Sequence, residues 1–118
     1  MLLNLSERFV LLSILPGHAN SSNQRIIDRV YEALYPSEEE YEECGIKQAG
    51  ETKRDGSIVP DGQIAWDLNA NVPKEIPIGE KGQDVLKRAF RKLDQQEQLS
   101  RDLLRLCDRL FPGLFPEE

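Results

Sequence analysis

Apolar residues recur every three or four positions through two stretches of the chain and lose that period between them. In residues 5–15, Leu5, Phe9 and Leu12 are joined by Val10, Leu11, Ile14 and Leu15, so apolar side chains cover most of a helix circumference. Such a helix is usually central to a core or to a subunit contact. Asn4 and Glu7 have capping-box spacing at its start, and Pro16-Gly17 ends it. Ser21 or Ser22 is placed to cap a second helix reaching about Tyr35. Ile26, Ile27, Val30, Tyr31 and Leu34 mark one face of it, and Arg25, Asp28, Arg29 and Glu32 the other. Pro36 stops that helix. Ser37, with Glu40 three residues on, starts a short third one over about 38–44, which Cys44-Gly45 closes.

From residue 48 to residue 71 the helical period is gone, and turn-forming residues take over. Residues 57–59 and 63–67 flank Pro60-Asp61-Gly62, which predicts a β-hairpin with Ile64 and Trp66 on one face. Residues 74–78 can add a third strand, held to an edge position because Pro77 lacks a ladder donor. The period returns over about 80–97 with Val85, Leu86, Ala89, Phe90 and Leu93. A last helix, capped by Ser100, carries Leu103, Leu104, Leu106, Cys107, Leu110 and Phe111 inward and ends at Pro112-Gly113. The short 95–99 connection predicts that these two helices pack as antiparallel neighbours. The expected fold is therefore α+β: a single, mostly helical domain of about five helices. Its parts are a helical half at 4–45, a two- or three-stranded antiparallel sheet inserted at about 57–78, and a helical pair at 80–111.

A length of 118 residues suits one domain. No apolar run approaches the roughly 18–20 residues of a membrane-spanning helix, so no membrane partner is expected. The apolar N-terminal stretch lacks a basic leader, and Glu7 and Arg8 interrupt it, which favours a cytoplasmic helix over an export signal. With 21 acidic and 15 basic side chains the formal charge is -6, and attraction of the whole molecule to a polyanion is disfavoured. The two cysteines, Cys44 and Cys107, fall within apolar helical patterns and read as small buried hydrophobes in a reducing compartment.

Candidate chemistry is sparse. His18, the one histidine, lies in a loop, where a general base or metal ligand can sit and where an ordinary exposed histidine fits as well. Neither cysteine has a second cysteine or a histidine nearby, so no metal site is expected. No nucleophile elbow and no phosphate-binding loop is present, and no cofactor or catalytic residue is assigned. Two charged clusters remain as candidate partner-binding residues. Glu38, Glu39, Glu40, Glu42 and Glu43 form either a solvated helix start or a docking patch for a basic partner. Lys87, Arg88, Arg91 and Lys92, with the stripe Arg101, Arg105 and Arg109, form a solvated face, a protein-binding face or a phosphate-facing surface. Trp66 reads as the plug of a small core or, if exposed, as a partner anchor.

Several segments carry a resemblance. They are Leu5-Ser6-Glu7-Arg8-Phe9-Val10-Leu11-Leu12 with Leu15-Pro16, Ser37-Glu38-Glu39-Glu40, Gly62-Gln63-Ile64-Ala65-Trp66-Asp67 and Lys74-Glu75-Ile76-Pro77-Ile78-Gly79-Glu80, followed by Leu93-Asp94 through Leu99. In this order the chain resembles small uncharacterised open-reading-frame proteins of bacteriophages and prophages. The resemblance implies a phage or mobile-element origin and carries over no activity and no site. The expected function is that of a small, cytoplasmic, non-enzymatic protein that acts by binding another protein, or that pairs with copies of itself. The alternative is a nucleic-acid-binding regulator using the basic surface of the two C-terminal helices.

Overall fold

Four of the five helices start where a short polar side chain meets an orphan amide. In the computed structural model, which describes residues 1–67 and 69–116, the Asn4 side chain accepts from the Glu7 amide while the Glu7 carboxylate accepts from the Asn4 amide. This capping box opens α1 (Leu5–Ile14). α2 (Ser21–Leu34) is capped by Asn20, whose side chain accepts from Asn23, and neither Ser21 nor Ser22 performs that role. Asn is at least as good a cap as Ser, and its position one residue earlier starts the helix one residue sooner. Ser37 and Glu40 form the second capping box, at the start of α3 (Glu38–Glu43). Ser100 caps α5 (Arg101–Leu110), and α4 (Glu80–Gln95) begins after Gly79 without a side-chain cap.

Four of these helices have ten residues or more, and α3 is a turn and a half. About half the chain is helical, in a single domain measuring 46 × 34 × 26 Å.

Two helix ends use the same device. At the end of α3 the Ile46 amide donates to the Tyr41 carbonyl and the Gly45 amide to the Glu42 carbonyl, a Schellman motif with Gly45 at φ +63°. A Cβ at Gly45 would also lie 2.5 Å from the Asp67 carboxylate, so only glycine fits. At the end of α4 the Gln98 amide donates to Leu93 and the Glu97 amide to Asp94, but here Glu97 holds the left-handed position at φ +56°. A side chain there costs about 1–2 kcal/mol, partly offset by the extra chain entropy glycine loses. Glu97→Gly is therefore expected to stabilise the fold by about 0.5–1 kcal/mol, measured by urea denaturation.

The strands are short and differ from the expected sheet. β1 (Leu2–Leu3) pairs antiparallel with β4 (Lys74–Glu75), and β2 (Lys47–Gln48) with β3 (Ile64–Ala65). The predicted pairing of 57–59 with 63–67 is not formed. Ile58 instead bridges Thr52, and Val59 exchanges hydrogen bonds with Gly50 and Glu51. Asp55-Gly56 decides this. The Gly56 amide donates to Lys53, Gly56 takes φ +89°, and the Lys53 amide donates to Ser57, the three-residue hairpin loop with a glycine bulge. Asp55 accepts from both the amide and the hydroxyl of Ser57, which holds its carboxyl below the usual carboxylate range. Pro60-Asp61-Gly62 does turn the chain, with Gln63 donating to Pro60, but it delivers 64–65 to 47–48. The predicted third strand likewise finds the N-terminal residues as its partner. Ile76 and Ile78 face inward while Pro77 stays exposed.

The main core is built from Leu3, Leu11, Val30, Leu34, Ile76, Ile78, Leu86, Phe90, Leu106, Cys107 and Phe111. The closest helix approaches are α2 to α4, α1 to α2 and α1 to α4. Gly82 permits the first: a Cβ there would meet Val30 at 2.8 Å and Ile78 at 2.9 Å. Backbone approach to α4 is closer from α2 and α1 than from α5, while side chains of α4 and α5 meet in the same core cluster. α5 enters the core through Leu106, Cys107 and the following Phe111, whose ring meets Phe90 edge-on at 6.2 Å.

Candidate functional site

Pro36 brings the end of α2 and the start of α3 together at a sharp corner, and three tyrosines meet there. Tyr31 and Tyr35 are four residues apart, hence on one face of the chain. Their rings stack with centroids 5.6 Å apart and 14° between planes. Tyr41, from the last turn of α3, continues the stack at 6.1 Å and 29°. The phenolic oxygens of Tyr35 and Tyr41 lie 2.9 Å apart in a hydrogen bond, and the Gln48 side chain donates to Tyr41. The bond with Tyr41, with burial second, holds the Tyr35 phenol above its ordinary value and therefore neutral. Tyr31 nevertheless remains 47% exposed and Tyr35 37%. The helical period predicts Tyr31 on the buried face and assigns no role to Tyr35 or Tyr41, so the exposed stack is a correction to that expectation. The i, i+4 spacing of Tyr31 and Tyr35 was the available signal.

The acidic run divides at this corner. Glu38, Glu39, Glu42 and Glu43 are exposed. Glu40 is turned inward and is not part of a free patch: both its oxygens accept from Arg8, at 2.6 and 3.3 Å, and one also accepts from the Ser37 amide. The Arg8 hydrogen bonds, against a smaller opposing effect of burial, hold the Glu40 carboxyl down at about 2. Arg8 is a buried charged residue, 3% exposed, and its Nε donates to the Leu34 carbonyl at the end of α2. It therefore ties α1 to both α2 and α3. In the sequence it looked like an interruption of an apolar helix; its position three residues after Leu5 and three before Leu11 puts it on the inward stripe. Lys74 adds a longer contact to Glu40 at 3.6 Å. Arg54 closes the other end of α3, bonding the Glu42 carbonyl and the Asp67 carboxylate.

The basic cluster is partly used by the fold. Arg109 pairs with Glu7 and donates to the Leu2 carbonyl, and Lys87 sits half-buried over the Phe111 ring at 5.5 Å. Arg88, Arg91 and Lys92 on α4, with Arg101 and Arg105 on α5, are exposed and make no ion pair among the described residues. A cleft of about 660 Å³ between α1 and α5 has Val10, Leu103 and Leu106 in its lining, with Arg105, Arg109, Glu7 and Asp102.

His18 is exposed in the loop before α2, whereas the carboxylates of α3 follow that helix. Fourteen residues of helix separate the two by about 20 Å, so they do not converge on one site. Burial pushes the Cys107 thiol up to about 11. The Cys44 thiol is also raised, by burial first and then by Glu40 and Glu43. Cys107 is buried as expected; Cys44 is half-buried at the α3 cap, and both are free. Among the described residues no group of three His, Cys, Asp or Glu side chains is placed to hold a metal ion, and no helix is long and apolar enough to cross a membrane. Trp66 stacks on Phe9 of α1 at 5.7 Å and is half-buried, which joins the β3 segment to the helical layer.

No protein family, no curated protein and no solved structure matches this chain.

Proposed function

We propose that this chain is a small non-enzymatic interaction protein that binds another protein through the surface formed by the end of α2 and by α3. The observation that carries this reading is the three-ring tyrosine stack left on the surface beside four exposed carboxylates. Stacked rings are large, rigid contact surfaces that lose little conformational freedom on binding, and tyrosine is enriched where interfaces concentrate their energy. The exposed cations of α4 and α5 give the molecule a second charged surface, of opposite sign. The expected phage or mobile-element origin makes a phage or host protein the proposed partner, and the interruption of the apolar N-terminal stretch by Glu7 and Arg8 makes the cytoplasm the proposed place of encounter.

Affinity capture with the intact chain and with two charge-reversed variants tests this reading. One variant carries Glu38→Lys with Glu42→Lys, the other Arg88→Glu with Arg91→Glu. Stoichiometric capture of a partner by the intact chain, lost with the first variant and kept with the second, is expected. Equal capture by all three, or none by the intact chain, overturns it.

A further inference from the structure

We infer that the tyrosine stack is a docking site for an arginine-bearing segment of the partner, a step that rests on the interaction reading above. Three observations select that chemistry. The stack ends at Tyr31, which is 47% exposed and so accessible to a further planar group. Aromatic faces attract cations, and guanidinium, being planar, also stacks on them. Nucleobases stack equally well on tyrosine, but their phosphates would stand among carboxylates. Glu38 and Glu39 follow Tyr35 after Pro36 and Ser37, and Glu42 and Glu43 come directly after Tyr41 in the chain. All four are exposed. Of the cations nearby, Arg8 and Lys74 pair with Glu40 and Arg54 with Asp67, while Lys47 and Lys53, which line a pocket with Tyr41 and Glu42, make no ion pair among the described residues. Four exposed carboxylates against these two lysines leave a local field that favours a cationic ligand.

The stack is also pre-organised. The bond between the Tyr35 and Tyr41 hydroxyls and the Gln48 contact fix two rings before any ligand arrives, which lowers the ordering cost of binding. A second copy of this chain also offers exposed arginines, on α4 and α5, and would compete for the same surface as a reciprocal dimer, a ring or an open chain.

Fluorescence anisotropy tests the inference, using the whole chain and a labelled peptide of alternating arginine and glycine, with its lysine counterpart and a single-stranded DNA oligonucleotide as comparisons. The arginine peptide is expected to bind tightest and the oligonucleotide weakest. Tyr31→Ala is expected to weaken the arginine peptide about three- to fivefold and Tyr31→Phe to restore it, because the ring face and not the hydroxyl makes the contact. Glu38→Gln with Glu39→Gln is expected to weaken both peptides and to flatten their salt dependence. Tyr31 is half exposed, so its variants are expected to fold, and unchanged thermal melting verifies that. Equal affinity for both peptides with no effect of Tyr31→Ala overturns the inference, as does preference for the oligonucleotide. Concentration-dependent self-association in light scattering, lost on Tyr31→Ala, overturns it in favour of a second copy. Absence of peptide binding, when capture still depends on Glu38 and Glu42, overturns the arginine chemistry and leaves the interaction reading standing.

Discussion

Arg8→Ala is expected to remove about 3–5 kcal/mol of folding stability, the loss typical when one partner of a buried ion pair is deleted. Arg8 is 3% exposed and its guanidinium makes three hydrogen bonds, two to Glu40 and one to the Leu34 carbonyl. Alanine leaves the Leu34 carbonyl without this donor and strands the largely buried Glu40 carboxylate, so the penalty exceeds the net worth of the pair itself. The same pair makes stability depend on acid. Glu40 titrates at about 2 in the folded chain against an ordinary value of 4.5. A depressed carboxyl stabilises the fold above its unfolded value, and that contribution is lost as pH falls from about 4.5 through about 2. A shift of that size corresponds to about 3 kcal/mol. Urea denaturation at neutral pH and at stepped acid pH tests both statements. The intact chain should lose stability steeply across that window and Arg8→Ala should lose much less, the contribution being already gone. A neutral-pH loss under about 1 kcal/mol, or an unchanged acid slope, would show that the pair is solvated and weak.

This pair also explains where the sequence was legible and where it was not. Local rules act within a few residues, so the capping boxes at Asn4 and Ser37, the Ser100 cap and the Cys44-Gly45 stop could be read directly. Contacts between distant residues left fainter marks. Arg8 and Glu40 are 32 positions apart, and each has a bland explanation by itself, an interruption in one helix and a favourable charge at the start of another. Strand pairing failed for a related reason. Asp55-Gly56 and Asp61-Gly62 are both turn signals, and choosing between them requires knowing which flanking residues find partners. Val59 could have tipped that choice only through its burial, at 1% exposed, which no local pattern reveals. The tyrosine stack combines both cases: Tyr31 and Tyr35 are related by helix geometry, but Tyr41 joins them only because the chain turns at Pro36. The acidic run was visible as composition, yet its division into four exposed carboxylates and one inward-facing partner of Arg8 is a property of the assembled fold.

Phe90→Ala is expected to cost about 3–5 kcal/mol, a large share of the roughly 5–15 kcal/mol that holds a domain of this kind together. Phe90 is fully buried in the main cluster, on the helix that approaches both α1 and α2 most closely, and its ring supports Phe111 edge-on. Its removal leaves a cavity at the junction through which α5 is attached. Because α5 is held mainly by side chains rather than by close backbone approach to α4, this helix should loosen first. Hydrogen exchange separates that outcome from uniform weakening: amides of α5 should lose protection in Phe90→Ala before those of α2. Phe90→Leu keeps most of the volume and is expected to cost less than about 1.5 kcal/mol with α5 still protected. The tyrosine stack lies on α2 and α3, tied to α1 through Arg8 and not to α5, so a folded Phe90→Leu chain should retain its peptide binding. Loss of binding in that variant would show that the surface at the α2–α3 corner depends on how α5 is seated.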